Sequence, residues 1–146
     1  MASWKRGFTL GELLVVLALF GTLTAIALPH WVALLPSYRL NSATRQVQSE
    51  LHSIKSLAAF RNRRFQLNFS AANDTYTIED TITDPPTSLG TKPLPAGIDI
   101  RNNITIGFTP RGTGDSGTVN LCNAQSAGRN IVVSGTGRIR IVNATC

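Results

Sequence analysis

Residues 5–28 read KRGFTLGELLVVLALFGTLTAIAL, and the architecture follows from how this stretch is housed. From residue 8 to residue 28 the one charged side chain is Glu12; the others are Leu, Val, Ala, Phe, Ile, Thr and Gly. At about 1.5 Å per residue such a helix is about 31 Å long, enough to cross a bilayer core. A carboxylate in hydrocarbon is costly without a partner, so Glu12 has a specific role to explain. Lys5 and Arg6 precede the run, which keeps the N-terminus in the cytoplasm and sends the rest of the chain across. A secretory signal peptide shares this charge order. The apolar run is too long for one, it ends without an obvious A-x-A cleavage site, and Glu12 is out of place in it. A plain signal anchor explains everything except Glu12 and the abrupt Lys5-Arg6-Gly7-Phe8-Thr9-Leu10 junction.

Working outward, Pro29 and Pro36 each remove a backbone donor, so the helix is either kinked or locally open between them. From Tyr38 the pattern becomes amphipathic. Leu40, Ala43, Val47, Leu51, Ile54 and Ala58 recur at three- and four-residue intervals, a stripe suited to packing on a sheet. The helix is expected to end near Phe60, where Arg61, Arg63 and Arg64 suit the helix dipole. Those arginines could instead meet phosphate, but helix-end capping and a solvated surface explain them more simply. Residues 64–69 and 75–79 alternate and flank a turn, which predicts a hairpin. Residues 83–95 hold four prolines and no period, which predicts a surface loop. Residues 98–108 supply one long strand or two short ones, and residues 118–122 supply another. Residues 129–134 and 138–142 follow, joined by a tight turn at Gly135-Thr136-Gly137. A helix on one face of a small antiparallel sheet or sandwich gives an α+β class.

The net charge of +6 falls to +4 if Lys5 and Arg6 are removed with a leader. Such an excess suits nucleic acid, anionic lipid or simply a solvated basic surface. If the C-terminal domain is exported, Cys122 and Cys146 are expected to form a disulfide, because oxidising compartments preserve such bonds. Closing that loop contributes about 3.5 kcal/mol on the chain-entropy model and pins the last residue. Two cysteines without a histidine cluster argue against a metal site. His30 and His52 are isolated, and no nucleophile with a base and no paired carboxylates emerge, so we assign no catalytic residue and no cofactor. Arg111 with Gly112 and Gly114 lacks the strand–helix setting of a phosphate loop.

The stretch Lys5-Arg6-Gly7-Phe8-Thr9-Leu10-Gly11-Glu12-Leu13 resembles the class III (prepilin) signal of type IV pilins and type II secretion pseudopilins. That resemblance implies cleavage after Gly7 by a prepilin peptidase and N-methylation of the new terminus, Phe8. Glu12 then pairs with the amino terminus, at Phe8, of a neighbouring subunit. Gly11 stands where the family often carries a bulkier residue, and Pro29 matches the family's helix-distorting proline. The chemistry agrees: a buried glutamate needs a cation, and a freshly cut amino terminus is one at the same membrane depth. The alternative is a neutral Glu12 hydrogen-bonded within its own helix. The implied organisation is a leader at 1–7, a transmembrane and assembly helix at 8–36, an amphipathic helix at 37–62, and a β-rich globular domain at 63–146.

Further along, Gly107-Phe108-Thr109-Pro110-Arg111-Gly112, Gly117-Thr118-Val119, Ile131-Val132-Val133-Ser134 and Gly137-Arg138-Ile139-Arg140 are similar to H-type pseudopilins and their minor-pilin relatives. This implies a long N-terminal helix, transmembrane then amphipathic, packed on an antiparallel β domain of two small sheets. In a strand, Arg138 and Arg140 share a face about 7 Å apart, a spacing that suits successive phosphates, and Arg129 is placed on the neighbouring strand. DNA-uptake minor pilins carry Gly-Arg-x-Arg here, so the resemblance implies a DNA site at Gly137, Arg138, Arg140 and Arg129. Relatives without that role also carry Gly-Arg, so a solvated strand is the alternative. Three readings follow: a minor pilin that joins or primes a type IV pilus, an H-type pseudopilin of type II secretion, or a DNA-binding minor pilin. The implied partners are other pilin or pseudopilin subunits, the prepilin peptidase, inner-membrane lipid and, on the third reading, DNA. The implied location is the bacterial inner membrane, single-pass with a cytoplasmic N-terminus and a periplasmic C-terminal domain, and then a filament.

Overall fold

The computed structural model describes residues 9–146; Gly7 and Phe8, where cleavage and methylation are expected, lie outside them. A single helix, α1 (Leu10–Arg61), is followed by eight strands: β1 (Phe65–Ser70), β2 (Thr75–Asp80), β3 (Thr87–Pro93), β4 (Ile98–Ile100), β5 (Ile104–Phe108), β6 (Gly117–Asn123), β7 (Ala127–Val133) and β8 (Ile139–Thr145). The chain divides into two compact units, Met1–Leu35 and Pro36–Cys146.

In the first unit the helix begins with a cap. Thr9 Oγ1 accepts the Glu12 backbone N–H at 3.2 Å, which satisfies one orphan donor of the first turn, and the Thr9 carbonyl accepts the Leu13 N–H at 3.2 Å, the first bond of the helix ladder. Leu10–Ala27 is long and apolar enough to cross a membrane, and none of it is buried within the chain. Its hydroxyls fold back on the helix: Thr22 donates to the Leu19 carbonyl at 2.9 Å and Thr24 to the Phe20 carbonyl at 2.7 Å. Internal satisfaction of this kind is what a lipid environment demands. The backbone is helical at Pro29 and at Pro36.

In the second unit the expected stripe is the buried one: Leu40, Ala43, Val47, Leu51, Ile54 and Ala58 are each at most 2% exposed. Thr44 joins it, its hydroxyl satisfied by the Leu40 carbonyl at 2.7 Å. Asn62, at φ 50°, ends the helix. Arg63 N–H reaches the Ala58 carbonyl and Asn62 N–H the Ala59 carbonyl, the paired bonds of a Schellman ending. The helix stripe forms one core with two four-stranded antiparallel sheets, ordered β3-β2-β1-β5 and β4-β6-β7-β8. Phe65, Leu67, Phe69, Tyr76, Ile106 and Phe108 line the first sheet; Ile98, Ile100, Val119, Leu121, Ile131 and Val133 line the second. Each such side chain contributes about 1.5–3 kcal/mol on burial. Tyr76 is anchored to the helix by Gln46 Nε2, which donates to its hydroxyl at 3.0 Å. Burial pushes the Tyr76 phenol up, and Glu50 adds to this, against the Gln46 bond and the Lys92 charge.

One segment differs from the expectations, and a second settles an alternative left open. Residues 83–95 are not all loop: β3 forms the outer edge of the first sheet, exposed along its whole length. Proline is tolerated on such an edge because its missing N–H leaves no ladder bond unmade. Residues 98–108 form two strands that lie in different sheets, β4 beside β6 and β5 beside β1. Asn102 and Asn103 strap this crossing. Asn102 Nδ2 donates to the Thr118 carbonyl at 2.8 Å, and Asn103 Oδ1 accepts the Ala71 N–H at 2.7 Å.

Candidate functional site

The hairpin of β7 and β8 carries the arginines singled out in the sequence. Its register sets Val132 opposite Arg140 and Val133 opposite Ile139. Because Val133 is buried, Ile139 turns inward and Arg140 faces out with Val132. Arg138 stands just before β8, also exposed. Together with Val132, Ser134 and Thr136 the two arginines line a shallow cleft of about 250 Å³ on the outer face of the second sheet. Among the described residues neither is ion-paired with a carboxylate.

The turn that presents them is tightly held. Gly137 N–H reaches the Ser134 carbonyl at 2.7 Å, Ser134 N–H the Arg138 carbonyl at 3.0 Å, and Arg138 N–H the Ser134 hydroxyl at 3.3 Å. Gly137 has φ +74°, and a Cβ there would lie 1.9 Å from the Gly112 carbonyl oxygen. From α1, Lys55 Nζ donates to the Gly137 carbonyl at 2.9 Å, which ties the turn to the helix.

Arg129 does not belong with this pair, contrary to the sequence expectation. It stands in register with buried Leu121 and with Asn143, and so lies toward the opposite face from Arg140. Its guanidinium donates to Asn143 Oδ1 at 2.6 Å and to Asn41 Oδ1 of α1 at 3.3 and 3.4 Å. The physical reason is parity: the turn at residues 134–138 sets a register in which even-numbered β7 residues share a face with Arg140. Arg129 is a strut between the helix and the edge strand.

Sequence reasoning missed Arg101. Ile98 and Ile100 are buried, so by alternation Asp99 and Arg101 face outward, and Arg101 N–H bonds the Asn120 carbonyl at 3.0 Å. With Asn120, Asn130 and Gly128 it lines a second cleft of about 430 Å³ on the same outer face. Asp99 Oδ2 lies 3.7 Å from its guanidinium. The alternation Ile98-Asp99-Ile100-Arg101 was the signal that could have found it. Two of the three arginines at the helix end are otherwise occupied. Arg63 pairs with buried Asp80 at 3.2 Å, and Arg64 pairs with Asp115 while lying over Gly107.

Cys122 and Cys146 are joined in a disulfide with their Cα atoms 6.0 Å apart. Cys146 N–H also bonds the Ser126 carbonyl at 3.1 Å, so the end of β8 is held twice. At the other end of the described chain, Glu12 sits exposed in the first turn of α1. Among the described residues no three His, Cys, Asp or Glu side chains converge as a metal site would require.

The α+β fold recurs in known structures. The type IV minor pilin FimU of Pseudomonas aeruginosa is 18% identical with a TM-score of 0.59, covering 73% of this chain and 90% of that one. A second crystal form of FimU gives a TM-score of 0.56 at 18% identity, with coverages of 70% and 92%. The minor pseudopilin EpsH of the Vibrio cholerae type 2 secretion system is 9% identical with a TM-score of 0.62, covering 72% and 97%. At these identities the likeness establishes the fold. No curated protein sequence matches the chain. The prokaryotic N-terminal methylation motif matches residues 5–28. Fold, motif and the family profile matched at residues 43–137 together define a structural subunit of the pilin and pseudopilin class, not an enzyme. The profile described as Type II transport protein GspH matches residues 43–137, and the chain belongs to that family.

Proposed function

We propose that this chain is a minor pilin, a subunit that incorporates into a type IV pilus or primes its assembly. The observation that carries the reading is Leu10–Ala27: an apolar helix none of which its own chain buries, with Glu12 in its first turn. Such a surface needs lipid before assembly and neighbouring helices after it. Cleavage after Gly7, methylation of Phe8 and single-pass anchoring with the globular unit outside the cytoplasm belong to this reading and rest on the methylation motif. The H-type pseudopilin is the second reading, supported by the family description and by the fold of EpsH, 97% of which is covered. A third role, DNA binding during uptake, is supported by the exposed Arg138 and Arg140 side by side on one face.

Tagged protein recovered from the native host tests the first reading. The expected mass begins at methylated Phe8, and sheared surface filaments contain the chain as a minor component. A chain still starting at Met1 in cells with an active peptidase overturns the processing. Deletion of the gene separates the first two readings: loss of pili supports the first, and loss of secretion with pili intact supports the second.

A further inference from the structure

We infer that the polyanion surface is a track across the outer face of the second sheet, running from Arg138 and Arg140 to Arg101, with Asp99 as its built-in competitor. The inference rests on the DNA reading of the arginine pair. Register fixes the geometry. Arg140 is level with Val132 and Thr118, whereas Arg101 bonds beside Asn120, one same-face step further along. Arg101 is thus three strand spacings from β8, about 14 Å, and about 7 Å along the strands, a separation of about 16 Å. That span is of the order of the roughly 12 Å major groove once side-chain reach is included, so the pair and Arg101 meet phosphates on either side of a groove.

The chemistry of the face selects the ligand. Among the described residues it carries no aromatic ring on which a base could stack, and its one carboxylate side chain is Asp99. Single-strand binding draws much of its affinity from stacking, so this face reads phosphates and favours duplex DNA without sequence preference. The 3.7 Å contact between Asp99 and Arg101 joins side chains that are 50% and 56% exposed, so it is weak and a phosphate can displace it. The outcome is that Arg101→Ala and Asp99→Asn move affinity in opposite directions.

The test uses the full chain in nonionic detergent with its disulfide intact. Binding of a labelled mixed-sequence duplex is followed by anisotropy across a salt series. Three phosphate contacts give a slope of log K against log salt of about −2.7, and Arg101→Ala lowers its magnitude to about −1.8. Arg101→Ala weakens binding on the order of fivefold, and Asp99→Asn strengthens it about two- to threefold. Arg138→Ala with Arg140→Ala leaves a slope of about −0.9. If Arg101→Ala changes neither affinity nor slope while the double variant loses binding, the track is wrong and the arginine pair stands. If the wild-type chain binds no duplex at low salt, the DNA reading and the track fail together. Tighter binding of the single strand, or Arg101-dependent binding only to anionic phospholipid vesicles, also overturns the inference.

Discussion

Gly137 shows how much of the arginine site depends on one missing methyl group. Its φ of +74° is one that L side chains rarely adopt, and a Cβ would meet the Gly112 carbonyl oxygen at 1.9 Å. That oxygen is backbone and cannot rotate away. The Lys55 ammonium on the Gly137 carbonyl fixes the turn from the helix side. Gly137→Ala is therefore expected to destabilise the fold by about 2–4 kcal/mol, combining backbone strain with a clash. A thermal melt followed by circular dichroism should show a midpoint lower by on the order of 10 °C. Gly135→Ala is the control, because its Cβ would lie 3.4 Å from the Ser116 hydroxyl and its φ is not in the left-handed region. A similar melt for both variants would contradict this account of the turn. The sequence Gly137-Arg138-Ile139-Arg140 made the shared face of the two arginines legible, since alternation is local. It left Arg129 ambiguous, because which face a residue across a hairpin shares depends on the register that the turn sets.

Strand β8 is the edge of the second sheet, and its outer row leaves Val142 41% exposed, so little burial holds it. What holds its end is covalent: Cys146 is bonded to Cys122, which is itself 3% exposed on β6, and the bond spans β7 over Gly128. A Cβ on Gly128 would approach Cys146 Sγ to 2.9 Å, so the small residue makes room for the bridge. Reduction is expected to cost about 3.5 kcal/mol, the chain-entropy value for this loop. Hydrogen exchange should then show β8 amides losing protection well before those of β6 and β7. Uniform loss over all three strands would mean that the bridge stabilises the sheet globally rather than pinning its edge. Most elements were legible in advance: the α1 stripe, the β1–β2 hairpin and β4 to β7 by their buried faces, and the mostly exposed β8 by the glycine turn before it. Strand β3 buries no side chain, so it leaves no apolar period to read, and Pro93 and Gly90 within it imitate a loop. Thr44 escaped for a related reason, since a hydroxyl signals nothing apolar until its bond to Leu40 removes the cost of burial.

The two units answer the demand for burial in opposite ways. Pro36–Cys146 encloses its own core, whereas Leu10–Ala27 buries nothing and depends on surroundings that the chain does not supply. Within that apolar helix Thr22 and Thr24 are satisfied internally, which leaves Glu12 as its one charged group. Thr9 caps the Glu12 backbone N–H, and a carboxylate in the first turn offsets the positive end of the helix dipole. That local benefit is a few tenths to about 1 kcal/mol at an exposed site, too small to balance a charge in hydrocarbon. A cut after Gly7 would add an ammonium at Phe8 to an end already positive, and a bundle of parallel helices would bring one chain's ammonium beside another's Glu12. On the proposed reading the pair would form between subunits, and its absence would penalise the isolated chain in lipid. Glu12→Gln is expected to leave the stability of the globular unit within about 0.5 kcal/mol, because Glu12 lies outside that unit. Incorporation into filaments should nevertheless fall about a hundredfold or more, the equivalent of losing one partner of a buried ion pair at about 3–5 kcal/mol. Immunoblots of sheared filaments against the membrane fraction read this ratio, and Glu12→Asp, which keeps the charge, should restore part of it. Equal incorporation of the Glu12→Gln chain and the parent would show that the carboxylate acts as a helix cap alone.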